Sequence, residues 1–148
     1  MSQVKRVYQL SEELTQDPEQ VVDAQALTLD QSRPHIGLKG SFGLFGSAEW
    51  WANINAGVMP LKRLSGVIKR VYVAGQDRSD VPNAFDLLSG NGQVQMEGIY
   101  VNSPEDVALY QVGRKVDVVY ALDELKAPLP DGGKNYSEIV LEVSISLQ

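Results

Sequence analysis

The side chains with the clearest potential for chemistry are a lone histidine and the serine nearest to it. His35 is the only histidine, and no HExxH motif surrounds it, so it cannot build a three-histidine zinc site. It follows Pro34 in a predicted loop, which favours a surface or hydrogen-bonded role. A Ser-His-Asp triad would need His35, but Ser47 lacks the GxSxG setting of a nucleophile. The sequence therefore predicts no catalytic residue.

A glycine-rich segment ahead of a helix partly matches a phosphate loop. Gly40, Gly43 and Gly46 are spaced GxxGxxG, whereas phosphate loops use GxGxxG or GxxxxGK[ST]. No lysine follows, and Glu49 in the first turn of the helix would repel a phosphate. We interpret the segment as a packed turn whose glycines make room for two phenylalanines.

Acidic side chains occur in groups that resemble metal or acid–base sites only in part. Asp123 and Glu124 are adjacent and would offer paired carboxylates, but acidic loop ends are the usual case. Asp77, Asp80 and Asn83 share one loop, yet the EF-hand pattern and its glutamate are missing. The sequence predicts neither a metal nor a cofactor.

Composition predicts one domain, residues 1–148, with an acidic surface. The 148 residues are 43% hydrophobic and 22% charged, which is ordinary for a globular protein. The net charge of −6 suits a basic partner or plain solubility, and it makes nucleic acid an unfavourable partner. The absence of cysteine excludes disulfides and thiolate chemistry. Met1–Leu10 has no apolar signal run and no segment is long enough to cross a bilayer, so we expect a cytoplasmic protein.

The β signals lie in residues 36–148. Gly90-Asn91-Gly92 between two apolar runs predicts a hairpin, and strict alternation from Ile139 to Leu147 predicts a last strand with one buried face. Further strands are predicted at Leu64–Val73 and Lys115–Ala121. In Leu64–Val73, Val67, Val71 and Val73 should share one face, Ile68 and Tyr72 should share the other, and Gly66 should mark a bulge or bend.

Residues 1–35 are the hardest part to interpret. Val4–Leu10 reads as a strand or an arm. Asp17 and Pro18 resemble a helix start, although Gln25–Leu29 reads equally well as a strand. The sequence leaves these alternatives open.

A short helix is predicted over residues 48–55, with Ser47 as its N-cap and Gly57 as its stop. Adjacent residues on a helix point about 100° apart, so Trp50 and Trp51 are both buried only if the helix is deeply covered. Core packing is the first interpretation for this pair, and an aromatic anchor for a partner is the second.

The predicted elements indicate a mainly β fold with one or two short helices. Several antiparallel strands and short connections suit a small β-barrel of the OB or SH3-like kind, or a compact sandwich. Residues 36–148 would form its β-rich core.

Three functions follow from these features. The first is a non-catalytic binding module of the inhibitor or immunity type that masks a basic protein partner, and a second copy of the chain is another candidate partner. The second is an enzyme or small-ligand carrier with a pocket walled by aromatic side chains. The third is an OB-type single-stranded nucleic-acid binder. The predicted binding residues are Trp50, Trp51, Tyr72 and Phe85, and the basic residues near them are Lys62, Arg63, Lys69, Arg70 and Arg78.

Four phrases resemble an uncharacterised family of small bacterial proteins. They are GLFGSAEWW at residues 43–51, GVIKRVY at 66–72, YQVG at 110–113 and VVYALDELK at 118–126. The resemblance implies a small β-barrel-like domain over residues 36–126. It implies no activity and no catalytic residue.

Overall fold

The computed structural model describes residues 3–75 and 80–148 of the chain. It confirms the mainly β class with short helices. None of the helices in these residues is long and apolar enough to cross a bilayer. The elements, in chain order, are β1 (Val4–Gln9), α1 (Leu10–Gln16), α2 (Glu19–Leu29), α3 (Ala48–Asn55), β2 (Leu61–Tyr72), β3 (Ala84–Ser89), β4 (Val94–Gly98), a 3₁₀ helix (Pro104–Leu109), β5 (Lys115–Glu124) and β6 (Tyr136–Ser146).

The six described strands form one sheet in the order β1-β6-β5-β2-β3-β4. β1 pairs antiparallel with β6, and β3 pairs antiparallel with both β2 and β4. The hairpin predicted at Gly90-Asn91-Gly92 is the β3–β4 connection. The chain divides into two compact units: a first unit of Met1–Leu10, Arg63–Val119 and Leu141–Gln148, and a second unit of Ser11–Lys62 and Tyr120–Val140.

The core of the first unit lies on one face of β2 and β3. Ile68, Phe85 and Leu87 are almost completely buried there. The Phe85 ring lies 5.4 Å from the ring of Tyr110, whose hydroxyl donates to the Tyr100 carbonyl at 2.7 Å. Burial of these large apolar side chains is the main term that stabilises the unit.

A bulge in β2 overturns the predicted assignment of its faces. The register with β3 shifts between Ile68 and Arg70, so Lys69 is an extra residue and the alternation of side chains changes phase there. Val67 therefore shares a face with Arg70 and Tyr72, whereas Ile68 shares the core face with Val71. The predicted grouping of Val67 with Val71 was wrong because the bulge lies at Lys69 and not at Gly66.

Gly66 has a different role, which is to allow β2 to approach β3 closely. A Cβ atom at this position would lie 2.4 Å from the Leu88 carbonyl oxygen. We expect Gly66→Ala to lower the free energy of unfolding by about 1–3 kcal/mol, because the backbone of one strand must move. Gly90→Ala is the matched control, since nothing lies within 4 Å of its added methyl. Equal urea-unfolding midpoints for the two variants would contradict this account of Gly66.

In the second unit, the glycine-rich segment supports α2. A Cβ on Gly46 would lie 3.0 Å from Val21, and one on Gly37 would lie 2.8 Å from Leu27. The side-chain amide of Gln25 also donates to the backbone carbonyl of Phe45 at 2.9 Å. The absence of a side chain at these glycines therefore lets α2 pack closely against the segment. The helical alternative for the residues after Pro18 was the correct one.

The short tryptophan helix, α3, begins where the sequence predicts. Ser47 has extended backbone angles and its hydroxyl accepts a hydrogen bond from the Trp50 amide at 3.2 Å. This is the arrangement of a helix N-cap. An eight-residue helix is too short to be stable alone, so it depends on the packing of Trp50.

Candidate functional site

Trp50 is the centre of a buried polar contact in the second unit. Its side chain has 0% exposure, and its indole Nε1–H donates to Oδ2 of Asp123 at 2.8 Å. Phe45 and Trp51 pack against it edge-on, each with a centroid separation of 4.9 Å. The predicted partner residue Trp50 thus belongs to the core, and Trp51 beside it is half-buried.

The adjacent carboxylates Asp123 and Glu124 have opposite environments. Burial raises the pKa of Asp123 above its usual value of 3.8, and its Oδ1 has no partner in the described residues. The Ser41 hydroxyl, at 2.8 Å from Glu124, lowers the pKa of that carboxyl, and Lys39 at 3.3 Å adds to the effect. Neighbours along a strand point to opposite faces, and Asp123 is fully buried. The arrangement therefore anchors α3 and does not present a carboxylate pair to a substrate.

Tyr72 belongs to a rigid polar cluster on the outer face of the β2–β3–β4 sheet. Its hydroxyl donates to Asp86 Oδ1 at 2.8 Å. The Arg70 guanidinium lies 4.0 Å from the Tyr72 ring centroid and its Nε lies 3.4 Å from Asp86 Oδ2. Preorganised tyrosine and arginine side chains are typical of protein-binding surfaces.

Apolar side chains extend this outer face on both sides of the cluster. Val67, Leu88 and Val94 form one row across the three strands, and Arg70, Asp86 and Met96 form the next. Val94 is 58% and Met96 63% exposed. A shallow apolar groove of about 340 Å³ runs along Gly66, Val67 and Leu88. This face, defined by the two rows and Tyr72, is called the outer face below.

The predicted aromatic pocket is not formed by Tyr72 and Phe85. Val71 is paired with Phe85, and Tyr72 is paired with Ala84. Residues paired across antiparallel strands share a face, so Tyr72 and Phe85 lie on opposite faces of the sheet. Phe85 is 1% exposed. Of the four predicted binding residues, only Trp51 and Tyr72 remain as candidates for direct contact with a partner.

Several members of the predicted basic concentration are neutralised by neighbours. Lys62 forms an ion pair with Glu138 at 2.8 Å, and Arg70 is bound to Asp86. Arg78 and the loop residue Asp77 lie outside the described residues. The paired cations weaken the nucleic-acid interpretation, because free positive charge supplies most of such affinity.

No candidate metal centre stands out in the described ranges. Within residues 3–75 and 80–148, no group of three or more His, Asp or Glu side chains is placed to hold a metal ion.

The negative charge of the chain is concentrated in α1, α2 and the residues next to them. Residues 11–32 contain six carboxylates and no lysine, arginine or histidine, whereas the whole chain has 13 basic and 19 acidic residues. The rest of the chain is therefore neutral. Across the described residues, the only ion pair of this segment joins Asp30 to Arg33 at 3.6 Å. Five further carboxylates have no cation partner in residues 3–75 and 80–148, namely Glu12, Glu13, Asp17, Glu19 and Asp23.

An apolar stripe lies beside these carboxylates on α2. Val22 is 62% and Leu29 65% exposed, and Ala26 between them is also exposed. Spacings of four and three residues place the three on one helix face. Glu19 and Asp23 lie along one side of that stripe. We call α1 and α2, with these carboxylates and this stripe, the acidic helical surface.

The RhsI2 immunity protein family has a sequence model that matches residues 4–146. The chain belongs to this family. Comparison with curated protein sequences finds no match. The predicted resemblance to a protein family is thus confirmed at the level of the family.

Membership of the RhsI2 immunity family confirms the predicted immunity-like protein-binding role. A protein of this type acts through a surface that fits another protein. Two surfaces meet that description, namely the outer face in the first unit and the acidic helical surface in the second. Sequence reasoning named only Tyr72 and Arg70 of the outer face. It missed the acidic helical surface, although residues 11–32 contain six carboxylates and no basic residue.

Proposed function

We propose that this RhsI2-family chain neutralises a toxin in the cytoplasm by binding it through the acidic helical surface. The observation that carries the proposal is the charge distribution. The formal net charge of −6 is accounted for entirely by residues 11–32. Such a one-signed field attracts a partner with basic residues and orients it before contact.

The acidic helical surface also has the anatomy of a binding site. Its centre is the exposed apolar stripe of Val22, Ala26 and Leu29. Its margin carries Glu19 and Asp23, which have no cation partner in the described part of the chain. An apolar centre with a polar rim is the usual organisation of a protein–protein interface. The toxin surface that fits it is an apolar patch bordered by lysine and arginine.

The four residues first predicted for binding divide into two roles in this proposal. Trp50 and Phe85 support the surfaces from the core, since both are buried. Trp51 and Tyr72, which are half-buried, are proposed to contact the partner. Substitution of either half-buried ring, with the fold verified by thermal unfolding, tests this assignment.

Co-expression tests the proposed function directly. Cells that express the toxin encoded by the neighbouring gene should stop growing, and this chain should restore their growth. The two proteins should also co-purify as a complex of fixed stoichiometry. Growth arrest that persists despite soluble, folded chain would sink the proposal. An unrelated acidic protein of similar size is the control for a non-specific effect of charge.

A further inference from the structure

The β4 strand has a free edge, and we infer that an extended segment of the toxin adds there as a further strand. This inference rests on the proposed function, because it assumes that the partner is the toxin. β4 is an end strand of the sheet. End strands present unpaired backbone groups, and added strands are a recurring mode of protein recognition.

The backbone pairing identifies the groups that face the free edge. The Ser89 amide donates to the Gln93 carbonyl, and the Ile99 amide donates to the Asn83 carbonyl, both at 2.9 Å. In an antiparallel ladder, alternate residues bond to the same neighbour. Odd-numbered residues of this segment therefore bond toward β3. The N–H and C=O groups of Val94, Met96 and Gly98 point away from it.

The opposite end of the sheet is already covered, which makes β4 distinctive. On β1, the Asn102 amide donates to the Val7 carbonyl at 2.9 Å. The Asn102 side chain accepts from the Gln9 amide at 2.8 Å and donates to the Gln9 carbonyl at 3.1 Å. Asn102 thus occupies the edge groups of β1 that a further strand would need.

Of the residues that usually protect an edge, β4 carries one charged side chain, Glu97. Its five residues, Val94–Gly98, include no lysine, arginine or proline, which are the common protective residues. The exposed Val94 and Met96 side chains lie on the outer face. An added strand would continue the rows of Val67–Leu88–Val94 and Arg70–Asp86–Met96. Its residues on this side would therefore be apolar.

The net charge of the chain and the size of the edge indicate the occupant. A basic partner complements the net charge of −6, whereas two copies that each carry this charge repel one another. A five-residue pairing also buries far less than the roughly 1,200 Å² of a stable interface. An edge of this size therefore suits one part of a larger interface with the toxin and not a dimer of this chain.

A proline substitution tests the inference without disturbing the hairpin. Met96→Pro removes an amide that points outward, and proline is tolerated at such edge positions. We expect it to weaken binding of a non-toxic variant of the neighbouring toxin by at least about tenfold. Met96→Val keeps the amide and an apolar side chain, so its affinity should stay within about threefold of the parent. Thermal unfolding of both variants verifies that the fold is retained.

Amide hydrogen exchange provides a second readout. The amides of Val94, Met96 and Gly98 should become protected in the complex. Unchanged exchange at all three, together with equal affinities for the two Met96 variants, would overturn the inference. The proposed function would survive that result if the chain still bound the toxin, and would fall only if the parent failed to bind. Protection at these amides in the chain alone, with a dimer in sedimentation, would assign the edge to a second copy and also overturn it.

Discussion

Trp50→Phe is expected to lower the free energy of unfolding by about 3–5 kcal/mol, a large part of the stability of a domain this size. Two losses add. The indole leaves a gap in a fully buried position, and the carboxylate of Asp123 loses its 2.8 Å donor. Since Oδ1 of Asp123 has no partner in the described residues either, the buried charge would be left without a hydrogen bond from a side chain. Urea unfolding followed by circular dichroism measures the change.

The pH dependence of this variant identifies the carboxylate as the cause. Burial already raises the pKa of Asp123 above 3.8, and removal of the indole donor raises it further. At pH values between the pKa of Asp123 in the unfolded chain and its higher pKa in the folded protein, the native state binds more protons than the unfolded state. The free energy of unfolding is therefore higher at low pH, where Asp123 is protonated, and it falls as the pH rises through the folded pKa of Asp123. The loss of stability caused by Trp50→Phe should thus become smaller as the pH is lowered from neutrality.

Trp51→Phe is the matched control, because Trp51 is half-buried and adjacent in sequence. It should cost less than about 1.5 kcal/mol and show the parent's pH dependence. In a double-mutant cycle with Asp123→Ala, Trp50 should show a coupling of about 1–3 kcal/mol. A coupling energy near zero would mean that the hydrogen bond between Trp50 and Asp123 contributes nothing to stability. If Trp50→Phe stayed folded and stable but no longer bound the toxin, Trp50 would instead be a residue that contacts the toxin.

Short-range patterns account for the parts of the fold that the sequence predicted well. The Gly90-Asn91-Gly92 turn fixes the β3–β4 hairpin through local backbone preference. Ser47 caps α3 through a bond to a residue three positions away. Alternation along the last strand predicts the burial of Val143 and Ile145. In each case the deciding interaction lies within a few residues of the signal.

Long-range contacts account for what the sequence could not show. Trp50 and Asp123 are 73 positions apart, and no local pattern pairs them. The bulge at Lys69 could not be predicted from the sequence because it depends on the register with β3. This one extra residue places Tyr72 on the outer face. The helix α2 was ambiguous because it has no fully buried residue, so its apolar pattern is weak.

The largest expected effect on binding comes from the acidic helical surface. Reversal of two charges, Glu19→Lys with Asp23→Lys, should slow association with the neighbouring toxin by about 10–100-fold at low salt. The reason is that both carboxylates lie along one side of the apolar stripe on α2 and have no cation partner among the described residues. The difference from the parent should shrink as salt is added, since the Debye length falls to about 8 Å at physiological ionic strength. Stopped-flow or surface-based kinetics over a series of salt concentrations measures both the association rate and its dependence on salt.

A control with the same charge change separates location from net charge. Asp80→Lys with Glu105→Lys alters two exposed carboxylates of the first unit and changes the total by the same amount. If association depends on where the negative charges lie, this control should slow association far less than the α2 variant. Equal slowing by both variants would show that only total charge matters, which would remove the acidic helical surface as the contact. Slowing by the α2 variant alone, with dissociation changed little, is the signature of charges that steer a partner. In that case the affinity must come from the apolar stripe beside these charges, so Val22→Ser with Leu29→Ser should speed dissociation of the complex and leave association nearly unchanged.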